Sequence, residues 1–87
     1  MYKATTKNNV ITENTTIITD GFSCITLKNI GADAAKINDN IPLAAGSSYV
    51  WDNHPNVTID ENTSVRFDGV EVSKKVLIIR TYFKEVR

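Results

Sequence analysis

Val76-Leu77-Ile78-Ile79-Arg80-Thr81-Tyr82-Phe83-Lys84 is the stretch on which the fold turns. Its β-branched and aromatic side chains suit a pleated surface, and no turn former interrupts them. Successive side chains of a strand point to opposite faces. Leu77, Ile79, Thr81 and Phe83 therefore point one way, and Val76, Ile78, Arg80 and Tyr82 the other. The first half is apolar on both faces, which predicts a central strand with something packed on each side. The second half alternates, which predicts a half-exposed end where Arg80 and Tyr82 share an outward face.

Upstream, Val65-Arg66-Phe67-Asp68-Gly69-Val70-Glu71-Val72 reads as a hairpin. Asp-Gly suits a two-residue loop, whose central residues need positive φ. That register sets Val65 against Val72 and Phe67 against Val70 on one face, and Arg66 against Glu71 on the other. Asp60-Glu61-Asn62-Thr63 reads as a turn joining Val57–Ile59 to Ser64–Asp68. Asn38-Asp39-Asn40 predicts a three-residue loop that sets Ile37 against Ile41 and Ala35 against Leu43. Asn tolerates the left-handed backbone such a loop requires. Pro42 lacks an N–H, which places its strand at a sheet edge.

Asp20-Gly21 marks a turn between Thr15–Thr19 and Phe22–Asn29. The best helical candidate, Ala32–Ile37, is boxed in by Gly31 and Pro42 and allows one turn at most. The reading is all-β: a single small β-sandwich or jelly-roll-like domain of short antiparallel strands over residues 1–87.

Composition narrows the function. The 87 residues have room for one domain, and ten basic side chains balance ten acidic ones. A neutral chain does not fit a nucleic-acid partner, which calls for a basic excess. Folding buries only about 60–65% of the surface in a domain this small, so self-association or docking on a larger body is a natural remedy. Cys24 is the only cysteine and can form no internal disulfide. The polar start has no apolar signal core, and the longest apolar run, Val76–Ile79, is too short to span a bilayer. No signal peptide, no transmembrane segment and synthesis in a cytoplasm are therefore expected. The sequons at Asn14, Asn56 and Asn62 reflect an Asn- and Thr-rich chain.

Catalytic patterns are not met. His54, the single histidine, sits between Asn53 and Pro55 in a turn-like stretch, and Cys24 lies in a strand. A buried cysteine acts as a small hydrophobe. Zinc needs three or four Cys or His ligands, more than the chain has. Asp33, Asp39, Asp52, Asp60, Glu61 and Asp68 lack the spacing of a calcium loop. Gly21, Gly31, Gly46 and Gly69 are isolated, so no phosphate loop forms. No catalytic residue, metal or cofactor is expected, and the chain does not read as an enzyme.

Five residues remain as interface candidates. Tyr49, Trp51 and His54 could stack on a sugar or anchor in a partner's pocket; alternatively, Trp51 fills the core and its indole N–H finds a carbonyl. Arg80 and Tyr82 form an exposed pair or part of an ordinary solvated face.

Leu27-Lys28-Asn29-Ile30-Gly31, Ala35-Lys36-Ile37-Asn38, Ile41-Pro42-Leu43-Ala44-Ala45-Gly46-Ser47-Ser48-Tyr49 and Val76-Leu77-Ile78-Ile79-Arg80-Thr81-Tyr82 together resemble small β-sandwich structural proteins of tailed-bacteriophage virions. The likeness covers roughly residues 22–84 and rests on turn motifs: an N-x-G turn, a short β-turn-β, an L-x-x-G-x-S bend and a closing apolar strand. It implies a non-enzymatic virion component: an auxiliary or decoration protein of the capsid, or a head-fibre, neck or tail subunit. The implied partners are other virion proteins (major capsid, portal or tail components) and further copies of this chain. The alternative is a small carbohydrate-binding or adhesion module with an aromatic platform around Trp51.

Overall fold

The computed structural model describes residues 1–68 and 73–86. It contains eight strands, and no helix among the described residues. They are β1 (Tyr2–Ile11), β2 (Thr15–Ile17), β3 (Cys24–Asn29), β4 (Ala35–Ile37), β5 (Ile41–Leu43), β6 (Ser48–Trp51), β7 (Thr63–Phe67) and β8 (Val76–Glu85). β1 pairs with β8, β2 with β7, β3 with β6 and β4 with β5, all antiparallel. First meets last and second meets second-last, as in one long hairpin folded over on itself. Two further pairings, β3 with β8 and β4 with β7, zip the folded hairpin into two sheets. The long sheet has the order β1-β8-β3-β6 and the short sheet β2-β7-β4-β5. This is a jelly roll, the eight-stranded double-sheet solution to closing an antiparallel fold.

The core lies between the sheets. Phe22, Ile25, Leu27, Val76 and Ile78 come from the long-sheet side, and Ile37, Leu43 and Val65 from the short one, all essentially inaccessible to water. Each strand contributes through alternation: on β4, Ala35 and Ile37 are buried while Lys36 is exposed.

The β4–β5 hairpin has the register that its sequence predicts, Ala35 opposite Leu43 and Ile37 opposite Ile41. Asn38 and Asp39 take the left-handed φ values of 53° and 63°. Asn38 also ties the loop to β7, since its Oδ1 accepts the Ser64 N–H at 3.0 Å. β5, with Pro42, is the edge of the short sheet. Asp20-Gly21 does turn the chain, with Gly21 at φ 102°, but it carries the chain from the short sheet to the long one.

Gly31 is required for another reason. A Cβ there would collide with the backbone oxygen of Ser73 and lie 2.7 Å from the Lys75 nitrogen. The crossover from β3 to β4 is pressed against the segment entering β8, and Ala32 and Asp33 both donate their N–H to the Ser73 carbonyl.

Four expectations need correction or placing. β8 is central in the long sheet, but only its Val76/Ile78 face is packed; Leu77 and Ile79 are merely half-buried, shielded sideways by β1 and β3. Arg80 and Tyr82 follow Val76 and Ile78 on the inner face, so they do not point outward. Val57–Ile59 belongs to no strand although Ile59 is buried; Ala32–Ile37, which the sequence allows one helical turn at most, holds none, and its second half is β4. The Val65–Val72 hairpin falls on residues 69–72, outside the described residues. Val65 itself has partners on both sides, Thr15 and Ile37, and Arg66 Nε meets Asp39 at 3.2 Å.

Candidate functional site

Arg80 and Tyr82 are brought together, with Asp20 as their common partner. The Tyr82 hydroxyl donates to Asp20 Oδ1 at 2.7 Å, and Arg80 Nη1 lies 3.9 Å from Asp20 Oδ2. Arg80 Nη2 donates to Asn9 Oδ1 at 3.4 Å, while its Nε is buried with no partner. The Tyr82 ring meets the buried Phe22 ring edge to face, centroids 6.2 Å apart. Burial first, then the hydrogen bond to Asp20, raise the Tyr82 hydroxyl above its ordinary pKa. Lys7 Nζ sits 4.8 Å from the centroid of the same ring, within cation–π range. A groove of about 260 Å³ opens beside this cluster between the sheets, lined by Asn9, Ile17, Asp20, Ile78 and Arg80 among others.

Tyr49, Trp51 and His54 are not brought into one platform. Tyr49 and Trp51 alternate on the inner face of β6 and pack, partly buried, against the core. His54 is exposed beyond the end of β6, in a turn closed by the Val57 N–H on the His54 carbonyl. Its ring stands edge-on to Tyr2, centroids 6.5 Å apart, and its Nδ1 shares a hydrogen bond with Asn56. Cys24 is half-buried, its Sγ 3.6 Å from the Asn53 carbonyl.

The long sheet has an outer face that no other strand covers among the described residues. Directly opposed residues of antiparallel strands share a face. The registers therefore place Ala4 beside Phe83, Thr6 beside Thr81 and Cys24, Asn8 beside Ile79, Thr26 and Val50, and Val10 beside Leu77. None of these side chains is charged, and Val10 and Val50 are 48% and 53% exposed. Among the paired residues of this face, charges appear at the two ends of the band, as Glu85 and as Lys28 opposite Leu77.

β1 is the feature that sequence reasoning missed. It is a ten-residue edge strand, exposed along its length except at Ile11. The polar composition of Tyr2–Asn9 hid it; the signal was the pair of Lys residues four apart among Tyr and Thr strand formers. Its hydrogen-bond phase follows from one contact. The Val86 N–H donates to the Met1 carbonyl at 2.8 Å, so Met1 and Val86 are a hydrogen-bonded pair. Such pairs alternate along an antiparallel ladder. The odd residues Lys3 to Ile11 thus bond to β8, and Tyr2, Ala4, Thr6, Asn8 and Val10 aim their N–H and C=O groups at the free edge.

No family model, curated protein or solved structure matches this chain. Among the described residues, no cluster of three or more His, Cys, Asp or Glu could hold a metal ion, and no helix is long and apolar enough to cross a membrane.

Proposed function

We propose that this chain is a non-enzymatic structural subunit that works through protein–protein contacts made by the outer face of its long sheet, and that its assembly is a tailed-phage virion. The observation that carries the reading is the uncharged band Val10, Leu77, Ile79, Phe83 and Val50, left open by the jelly roll. Exposed Val10 and Val50 and half-exposed Leu77, Ile79 and Phe83, interspersed with Thr and Asn on one sheet face, support its reading as an interaction surface. The fold supports the virion setting by analogy, since jelly rolls serve as viral capsid domains, among other uses. Repetition on a shell would let each weak contact count many times. The likeness of residues 22–84 to accessory virion proteins points the same way.

Sedimentation velocity and co-sedimentation with empty phage capsids and tails test the reading. The wild-type chain self-associates or co-sediments, and Ile79→Glu, which sets a charge in the middle of the band, abolishes both without unfolding the domain. A stable monomer with no affinity for any virion component would sink the proposal. Genes for a portal, a major capsid protein or a terminase beside this one would support it independently.

A further inference from the structure

We infer that the free edge of β1 is a strand-docking site for an extended acidic segment of a partner protein. The inference rests on the protein-contact reading above but uses a different surface. Its first ground is the open ladder. Tyr2, Ala4, Thr6, Asn8 and Val10 present donors and acceptors in alternation along the edge. Another peptide backbone complements that alternation, which is the basis of strand addition to a sheet edge. A phosphodiester backbone, with acceptors only, does not.

The second ground is charge. Lys3 stands directly opposite Lys84, and Lys7 directly opposite Arg80, on the inner side of the β1–β8 ribbon. Like charges directly opposed destabilise a sheet. Asp20 answers Arg80 and Lys7 Nζ lies over the Tyr82 ring, but no ion pair answers Lys3, Lys7 or Lys84 among the described residues. At the free edge, Lys3 and Lys7 occupy the non-hydrogen-bonded positions, where side chains of facing strands come closest. A docked strand with carboxylates four residues apart would set one against each lysine. Its alternate side chains would extend the uncharged outer face beside Ala4, Thr6 and Asn8.

The same lysines select against a second copy of β1. Antiparallel self-pairing centred on Thr6 sets Lys7 against Thr5 and leaves the two Lys7 side chains diagonal neighbours. A two-residue slip either way sets Lys7 against Lys7 or Lys3 against Lys7. Lysines on an exposed edge are a known guard against edge-to-edge association, and an acidic strand is the partner they do not repel.

The probe is a labelled peptide of about nine residues, a typical strand length, alternating Glu with Val and Thr. Fluorescence anisotropy is expected to show saturable binding to the intact protein that weakens with salt. The amides of Tyr2, Ala4, Thr6, Asn8 and Val10 should gain protection from hydrogen exchange. Lys3→Glu with Lys7→Glu should weaken binding by about tenfold or more, since two attractive cross-strand pairs become repulsive. Thr6→Pro should abolish it while leaving the fold intact, because the N–H it removes faces the free edge. Should that variant misfold, the double lysine variant still decides. Binding that ignores both variants, no binding at millimolar peptide, preference for single-stranded DNA, or an edge dimer that Thr6→Pro dissolves would each overturn the inference. If Ile79→Glu still disrupts assembly after such a failure, the outer-face reading survives alone.

Discussion

Replacing Asn29 with Ala should be among the most damaging single changes to this fold. Asn29 is fully buried at the end of β3, and its side chain ties three segments together. Nδ2 donates to the Asp33 carbonyl at 2.7 Å and the Leu43 carbonyl at 2.9 Å. Oδ1 accepts the Gly31 N–H at 3.1 Å. Gly31 keeps a second acceptor, the Lys75 carbonyl at 3.0 Å, so its N–H survives the change with a partner. The two carbonyls lose the donor they share. At roughly 0.5–1.5 kcal/mol for each of the three side-chain hydrogen bonds lost, the change costs about 2–4 kcal/mol. A domain of this length holds only about 4–13 kcal/mol in total. With a urea slope of about 1 kcal/mol per molar, the unfolding midpoint should fall by about 2–4 M, provided the variant still folds. In a thermal melt that is a drop of about 10–30 °C. Asn29→Asp separates chemistry from volume: it keeps the shape, removes both donors and aims a carboxylate at two carbonyls. It should be at least as unstable near neutral pH and regain stability as acid protonates the new carboxyl and restores one donor. A midpoint shift below about 0.5 M for Asn29→Ala would show that the carbonyls find other donors and that the junction is not held as described.

Three other outcomes follow from the packing. Gly31→Ala should destabilise by about 1–3 kcal/mol, as overpacking does, because backbone rather than a movable side chain blocks the new methyl group; urea denaturation checks it. Trp51→Ala should lower the melting temperature, since the ring packs against the core; a glycan array on which wild type binds and the variant does not, at unchanged stability, would instead favour the sugar platform. Tyr82→Phe concerns pH. The folded Tyr82 pKa is raised, so the stability linked to it is fully present below the unfolded value near 10 and is lost as pH rises through the folded value. Wild type should therefore weaken on alkaline titration more steeply than Tyr82→Phe, and parallel melting curves between the two would refute that link.

Local chemistry made part of this fold legible in advance. Ala35–Leu43 carries its register within itself: two Asn residues and an Asp that tolerate left-handed backbone, apolar residues spaced to meet across them, and a proline that must lie at an edge. Val76–Lys84 announced its central place because one half is apolar on both faces. Each of these decisions uses residues only a few positions apart. The N-x-G turn was visible too, but its reason was not. Gly31 is fixed by Ser73 and Lys75, and Asn29 by Leu43, all distant in sequence.

The interaction surfaces depend on distant pairings even more. Whether Arg80 faces water or the core is a question of parity along β8, and parity has no sign until a second sheet covers one face. That cover comes from β2, β7, β4 and β5, strands of only three to five residues. Both long strands belong to the other sheet, so the open face and the unpaired edge fall on the same sheet. β1 went unread because its inward odd positions, Lys3, Thr5, Lys7 and Asn9, are polar and only Ile11 reaches the core, so no apolar face reveals the alternation. That alternation becomes meaningful once the Val86–Met1 bond sets the ladder's phase. The even residues then carry both the open backbone and the uncharged side chains, while the lysines project beneath. A strand that merely closed a sandwich would put its apolar residues inward along its length; β1 does so only at Ile11, while Tyr2, Ala4 and Val10 lie on the outer face, and that open stretch is what points to a partner outside the fold.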